Sequence, residues 1–261
     1  MTYSGKELQE IAEQFSAIQE KRDSLDRCLI QLLVSLKNNQ ASTYLSQGVF
    51  RRVKIVFKSL YNIYEIFPPE RNVKLTTNEL DDLCINLHAF FINTAGIFDN
   101  LGWVHALEKN IYDDRPKNKR PAGKINRNEI GLFNKVNQKY LAKDLKDYLN
   151  GERIKGWYND YAKNYRDSLA HRIPLYVPPY VIHKDEEAEY KRLSDEMANF
   201  QNVDGYQKFL ELEKARDEIG GICPIFAHSL NDKGSPAFLH PQLICDLLTI
   251  EEIIQEYCRH F

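Results

Sequence analysis

An arginine, a carboxylate and a histidine lie close together near the end of one predicted helix, in the stretch 164–174, which we call the motif. Their order is Arg166, Asp167 and His171, and Pro174 follows. The planar fork of an arginine can hold a phosphate, and a histidine can move protons near neutral pH. A carboxylate one turn away can fix the tautomer of the imidazole. These residue types in this order indicate phosphate chemistry, and the alternative is a surface ion-pair cluster that closes the helix.

Helical geometry determines which of these side chains converge. Asp167 and His171 are four residues apart and share a face, so we expect the carboxylate to accept a hydrogen bond from the imidazole. Asn164 extends the same face. Arg166 lies five residues before His171, which places the two side chains about 140° apart around the helix axis. The pair can therefore converge only through the reach of the arginine or with help from another surface, and the offset favours a site that a second protomer completes.

A second set of positive charges lies in a proline-bearing loop over 109–127. This loop carries a net charge of about +5, although the whole chain has a formal net charge of -2. The loop is the best candidate outside the motif for tracking a phosphate backbone, and the alternative is an ordinary solvated turn. The candidate residues are Lys117, Lys119, Arg120 and Lys124.

The elements before the loop are three long helices. Capping boxes at Ser4-x-x-Glu7 and Thr76-x-x-Glu79 predict the starts of the first helix, over 4–36, and of the third, over 76–107. The second helix covers 42–67 and ends at two prolines. The apolar seam of the first helix packs either inside the bundle, the favoured interpretation, or against a partner subunit.

Polar residues recur inside the third helix, which is otherwise apolar over much of its circumference. Asn86, Asn93 and Asn100 follow a seven-residue spacing and share one face, while His88 and Asp99 share another. Hydrogen bonding between helices is the favoured interpretation. The alternative is a polar groove wall that supports a site.

After the basic loop the pattern remains helical, except that a short strand near 222–227 is possible from the sequence. The expected elements are a helix over 133–149, the motif helix over 152–174, an extended proline-rich segment over 175–180, a charged helical insertion over 183–219 and a final helix over 241–258. The sequence therefore predicts one all-α domain over 1–261, a bundle of long antiparallel helices with a core over 42–180 and 241–258.

Composition excludes several classes of protein. The five cysteines are odd in number and form no Cys-x-x-Cys pair, so we expect reduced thiols and no structural zinc. His228 and His240 lack suitably spaced ligands, and no glycine-rich phosphate loop is present. No apolar run approaches the roughly 18 residues of a membrane span. We expect a cytoplasmic protein without a metal, a cofactor or a membrane partner.

The motif also carries a family resemblance. Arg166, four intervening residues and His171, with a polar residue directly after the arginine, resemble the R-x4-6-H motif of the HEPN superfamily. The stretch 166–179 resembles uncharacterised bacterial HEPN-like proteins, and the resemblance covers about 152–180. Many HEPN proteins are metal-independent endoribonucleases of toxin–antitoxin or antiviral systems, and they act as dimers whose two motifs meet in one cleft.

The resemblance implies a function and a set of residues. Arg166, Asp167 and His171 would be catalytic in a homodimer that cleaves RNA by attack of the 2′-hydroxyl, with an antitoxin or defence-system protein as a further partner. RNA-binding residues would be Asn164, Arg172, Lys117, Lys119, Arg120 and Lys124. Some HEPN domains are non-catalytic, so a helical adaptor that binds a partner protein is the alternative.

Overall fold

Helices make up most of the chain, which confirms the predicted all-α class. The computed structural model describes residues 2–199, 205–227 and 236–261. Its α-helices are α1 (Gly5–Ser16), α2 (Ile18–Ser35), α3 (Asn39–Thr43), α4 (Phe50–Ile66), α5 (Thr77–Glu108), α6 (Lys143–Asn150), α7 (Glu152–Trp157), α8 (Lys163–His171), α9 (Glu187–Ala198), α10 (Tyr206–Glu218) and α11 (Leu239–His260).

The N-terminal segment forms two helices, so the prediction of one helix over 4–36 is wrong. Helix α1 ends at Ser16, and α2 begins at Ile18 after Ala17, whose ψ is -9°. The Ser16 hydroxyl donates to the carbonyl oxygen of Ala12 at 2.8 Å. Such a bond back to the preceding turn competes with the helical ladder and bends it.

The predicted capping boxes and the apolar seam are confirmed. The Ser4 and Thr76 side chains each accept a hydrogen bond from the backbone N–H of the glutamate three residues later. Ile11, Leu25 and Leu29 on the seam are buried inside this chain. The seam of α1 and α2 therefore packs within the bundle.

Helix α5 packs antiparallel to the helical run of α3 and α4. Between α3 and α4 lies a π-helical turn, Tyr44–Val49, so the run is continuous from 39 to 66. Asn62 donates to the Asn86 side chain at 2.8 Å near one end of the pair. Near the other end, a Cβ on Gly48 would lie 2.0 Å from the Asn100 amide nitrogen, so the glycine leaves room for the Asn100 side chain in this position.

The motif helix and the last helix pack on the same central helix. Phe91 of α5 contacts Tyr165 of α8 with ring centroids 4.6 Å apart. The Tyr257 hydroxyl of α11 donates to the Leu101 carbonyl of α5 at 2.9 Å. Helices α4, α8 and α11 thus all contact α5, as its nearly all-round apolar sequence predicts.

The segment between the basic loop and α6 is less helical than expected. A short 3₁₀ turn covers Asn137–Tyr140, and the chain is extended at Leu141 before α6 begins. The Asn137 and Gln138 side chains donate to the carbonyl oxygens of Gly131 and Leu132 at 3.1 and 3.3 Å. These bonds favour a compact turn over the predicted helix across 133–149.

The charged insertion contains α9 and α10, which pack against each other. The segment before it is extended, as predicted, and Tyr176 exchanges two backbone hydrogen bonds with Ala227. Strands β1 (Ile225–Phe226) and β2 (Ala237–Phe238) pair antiparallel, so the alternative of a short strand near 222–227 is confirmed. None of the helices in the described ranges has the length and apolarity that crossing a membrane requires.

Candidate functional site

The motif lies at the end of one continuous helical run. Helix α7, a second π-helical turn at Tyr158–Ala162 and α8 follow one another without a break. The run ends after His171 because Arg172 has extended backbone angles, φ -135° and ψ -153°. π-Helical turns are rare and occur frequently at functional sites, and this chain has one before α4 and one before α8.

Arg166 lies near charged residues of α4, α5 and α8. Its guanidinium forms an ion pair with Asp167 at 3.2 Å, and about a third of the Arg166 side chain is exposed. It also interacts electrostatically with Asp99 of α5, which in turn interacts with Arg52 of α4. We call the cluster of Arg52, Asn93, Asp99, Tyr158 and Arg166 the arginine groove.

Arg52 is held in this groove by two neighbours on α5. Its Nη1 donates to Oδ1 of Asn93 at 3.0 Å. A Cβ on Gly96 would lie 2.5 Å from the Arg52 guanidinium carbon, so the absence of a side chain there lets the guanidinium lie against α5. The groove therefore holds two guanidinium groups beside two carboxylates, Asp99 and Asp167, and the guanidinium groups are the part that can donate to a phosphate.

Asp99 and Tyr158 complete the electrostatics of the groove. Desolvation raises the pKa of the Asp99 carboxyl, while Arg166 and Arg52 oppose this shift. Asp99 keeps more than a third of its surface in solvent, which limits the desolvation. Burial and the Asp99 carboxylate raise the pKa of Tyr158 to about 12, so its hydroxyl stays a hydrogen-bond donor at neutral pH.

His171 and Arg166 do not converge within one chain. His171 is exposed at the last residue of α8, five residues or about 7.5 Å along the axis from Arg166. In the described part of the chain, no hydrogen bond joins Asp167 to His171, contrary to the expected contact. Asp167 pairs instead with Arg166, whose long side chain reaches the neighbouring carboxylate.

The residues expected to bind RNA differ in availability. Lys117 and Lys119 are exposed on the basic loop. Arg120, in contrast, has only 8% of its side chain exposed and pairs with Glu129 at 2.9 Å, and Lys124 donates to the Asn110 carbonyl.

The two candidates beside the motif lie on α8 and just after it. The Asn164 amide donates to the Asp160 carbonyl at 3.5 Å, and Arg172 lies on the surface.

Some polar residues of α5 make contacts between helices, and others line the arginine groove. Asn86 and Asn100 make contacts between helices, as the favoured interpretation predicts. Asn93 and Asp99 line the arginine groove, which matches the alternative. His88 contacts the Leu175 carbonyl at 2.8 Å and so ties α5 to the segment after the motif.

Of the histidines His228 and His240, the structure describes the second. His240 is buried, and its ring nitrogens contact the Tyr3 hydroxyl and the Phe67 carbonyl at 3.0 and 2.6 Å. Burial lowers its pKa to about 4. His228 lies outside the described residues. Within the described ranges, no cluster of three or more His, Cys, Asp or Glu side chains is placed to hold a metal ion.

Sequence reasoning missed Arg52 and Tyr158. Arg52 is more than 40 residues from the groups it interacts with on α5, so no local pattern joins it to the motif, whereas Tyr158 lies two helical turns before Arg166 on the same run. Gly96 is the one available signal, because a glycine inside a long helix is costly and often marks a close approach. Comparison of the chain with protein-family models, curated proteins and solved structures gives no match.

Proposed function

We propose that this protein is a metal-independent endoribonuclease of the HEPN type that acts as a homodimer. The observation that carries the proposal is that Arg166 shares a groove with a second guanidinium, Arg52, while His171 stands exposed at the end of the same helix. The groove supplies two guanidinium groups that can donate to a phosphodiester, with Asp99 and Asp167 balancing their charge, and the imidazole supplies a proton-transfer group that reaches solvent.

The reaction needs two proton-transfer groups, and one chain offers one motif histidine. One His171 removes the proton of the ribose 2′-hydroxyl, whose oxygen forms a bond to phosphorus. The bond from phosphorus to the 5′-oxygen breaks, and His171 of the second protomer protonates that leaving oxygen. The products are a 2′,3′-cyclic phosphate and a free 5′-hydroxyl. A twofold axis beside α8 provides both histidines.

Arg166 stabilises the negative charge that develops on the phosphate oxygens. Asp167 pairs with its guanidinium, Asp99 interacts with it electrostatically, and Arg52 adds a second guanidinium group. In this account Asp167 acts on Arg166, as its ion pair suggests, and not on His171. A toxin–antitoxin or phage-defence role, with a protein inhibitor as partner, is the biological setting that we propose.

Cleavage of RNA in excess chelator tests this function. Wild-type protein should leave 2′,3′-cyclic phosphate ends, and Arg166→Ala and His171→Ala should each lose about 100-fold or more of the rate. Matched controls are Arg153→Ala, which removes an exposed arginine of α7, and His183→Ala, which removes an exposed histidine. Cleavage that persists in both motif variants would refute this site.

A non-catalytic adaptor is the second candidate, and a groove on α1 favours it. Leu8, Ile11 and Phe15 of α1 line an apolar groove of about 510 Å³ with Tyr64 and the two prolines after α4. Open apolar grooves of this kind are common sites for protein partners. Absence of cleavage by the wild-type protein, across structured and single-stranded RNA, would favour this candidate.

A further inference from the structure

An open aromatic pocket lies further along α5, beside the basic loop. Its volume is about 370 Å³, and three aromatic rings meet in it: Tyr44, Trp103 and Tyr112. Tyr44 stacks on Trp103 with ring centroids 5.1 Å apart and planes 15° apart. Trp103 meets Tyr112 edge to face at 4.9 Å. The other lining residues are Gln40, Thr43, Leu107 and Arg127.

The pocket differs from an ordinary aromatic cap on a core. Core aromatic residues pack without voids larger than a water molecule, yet these three rings are only partly buried and leave a cavity. Gln40, Thr43 and Arg127 are exposed at its rim. A pocket lined by aromatic rings, with hydrogen-bonding groups at its rim, has the features that hold a planar heteroaromatic ligand.

The loop beside the pocket is net positive and favours an anionic ligand, although Asp114 of the same loop interacts with the Tyr112 hydroxyl. Tyr112 and Arg127 belong to the loop that carries Lys117 and Lys119, and both of these lysines are exposed. A flat ring joined to phosphates is a nucleotide, and stacking platforms beside cationic surfaces are typical of single-stranded nucleic acid binding. A short apolar ligand or a lipid would leave this charge unused.

The pocket is also close to the arginine groove. Trp103 lies four residues after Asp99 on α5, so the two share a face of the helix and are about 6 Å apart along its axis. Tyr44 begins the π-helical turn that leads into α4, the helix of Arg52. One RNA strand can therefore occupy both places at once.

We propose that this pocket binds one unpaired base of an RNA strand whose backbone crosses the arginine groove. The inference rests on the proposed function because it takes RNA as the ligand. Its test measures binding and does not depend on RNA cleavage. A free mononucleotide offers the same chemistry, so the test compares the two sources.

The test uses a 2′-O-methyl oligonucleotide, which lacks the attacking 2′-hydroxyl and cannot be cleaved by that route. The chain has two tryptophans, Trp103 and Trp157. A base stacked in the pocket should quench the emission of wild-type protein and leave the Trp103→Phe variant, in which only the buried Trp157 emits, nearly unchanged.

Affinity measurements complete the test. Tyr44→Leu should weaken binding about five-fold or more, the lower end for the loss of one base stack, and Arg127→Gln should also weaken it. Tyr206→Leu, on an exposed tyrosine of α10, is the matched control and should bind as wild type does. Arg127 is exposed, so its variant remains informative if Tyr44→Leu does not fold.

Two results would overturn the inference. One is unchanged tryptophan emission together with wild-type affinity in the pocket variants. The other is equal affinity for adenosine monophosphate and for the strand, which would make the pocket a mononucleotide site. Quenching and weakened binding without any RNA cleavage would support the pocket and contradict the ribonuclease, so the two proposals fail separately.

Discussion

Asp246 connects the motif helix to α11, and its replacement by asparagine should change how stability depends on pH. Only 2% of the residue is exposed. Its Oδ1 accepts hydrogen bonds from Trp157 at 2.7 Å and from Gln242 at 2.8 Å, whereas Oδ2 has no partner. Trp157 directly precedes the π-helical turn of the motif run, so this contact helps to position α8.

Burial sets the size of the effect. It raises the pKa of Asp246 from 3.8 to about 7, with the two hydrogen bonds opposing the shift. The folded state holds this proton more tightly than the unfolded state, so stability falls as the pH rises through the window from about 4 to 7. Between pH 5 and pH 8 the linkage amounts to about 2.5 kcal/mol. Above pH 8 no further loss is expected.

Urea unfolding at pH 5, 6, 7 and 8 measures this loss. Asp246→Asn keeps an oxygen for the two donors and stays neutral, so it should gain about 2.5 kcal/mol on wild type between pH 5 and pH 8. The difference between the two curves of unfolding free energy against pH removes the contribution of the other titrating groups, among them His105 and His240. Asp195→Asn, on an exposed carboxylate of α9, is the control.

The result that refutes this reasoning is a constant difference between Asp246→Asn and wild type across the four pH values. Such a constant difference would mean that the carboxyl titrates alike in the folded and unfolded states. The hydrogen bonds from Trp157 and Gln242 would then compensate fully for burial.

Three further predictions concern packing, acid stability and charge. Gly102→Ala should destabilise the fold by about 1–3 kcal/mol, because its Cβ would lie 2.5 Å from the backbone of Gly131. Gly156→Ala should gain about 0.5–1 kcal/mol in urea unfolding, because the nearest atom to its Cβ, Oδ2 of Asp160, would be 4.0 Å away. Burial lowers the pKa of His240 to about 4, so the unfolded state binds more protons and stability falls as the pH drops from 6.5 to 4; His240→Gln should remove about 3 kcal/mol of this loss. Joint replacement of Lys117 and Lys119 by alanine should reduce the slope of log affinity for single-stranded RNA against log salt by about 1.4, and an unchanged slope would exclude these lysines from phosphate contact.

Local signals predicted where helices begin but not where they break. Capping boxes depend on residues three apart, so Ser4 and Thr76 were readable from the sequence. The break at Ala17 follows from one serine hydroxyl that bonds to the preceding turn, and helical periodicity continues across it. The turn at Asn137–Tyr140 likewise depends on amide side chains that bond backward to the chain.

The candidate site was predictable on α5 and α8 but not on α4. Asn93 and Asp99 were conspicuous because they interrupt an apolar helix. Arg52 reaches the groove only through antiparallel packing of α4 on α5, which is a contact between residues about 40 apart. The burial of Asp246 could not be recognised from the sequence either, because a carboxylate in an amphipathic helix ordinarily faces solvent.

Mixed dimers test the central claim most directly, which is that two copies of His171 form one site. Wild-type and His171→Ala chains are refolded together in equal amounts, and the rate of RNA cleavage in excess chelator is compared with that of wild type at the same total concentration. If both histidines are required, only wild-type pairs are active and about one quarter of the rate remains. A remaining rate of about one half would show that each chain acts alone and would contradict the composite site.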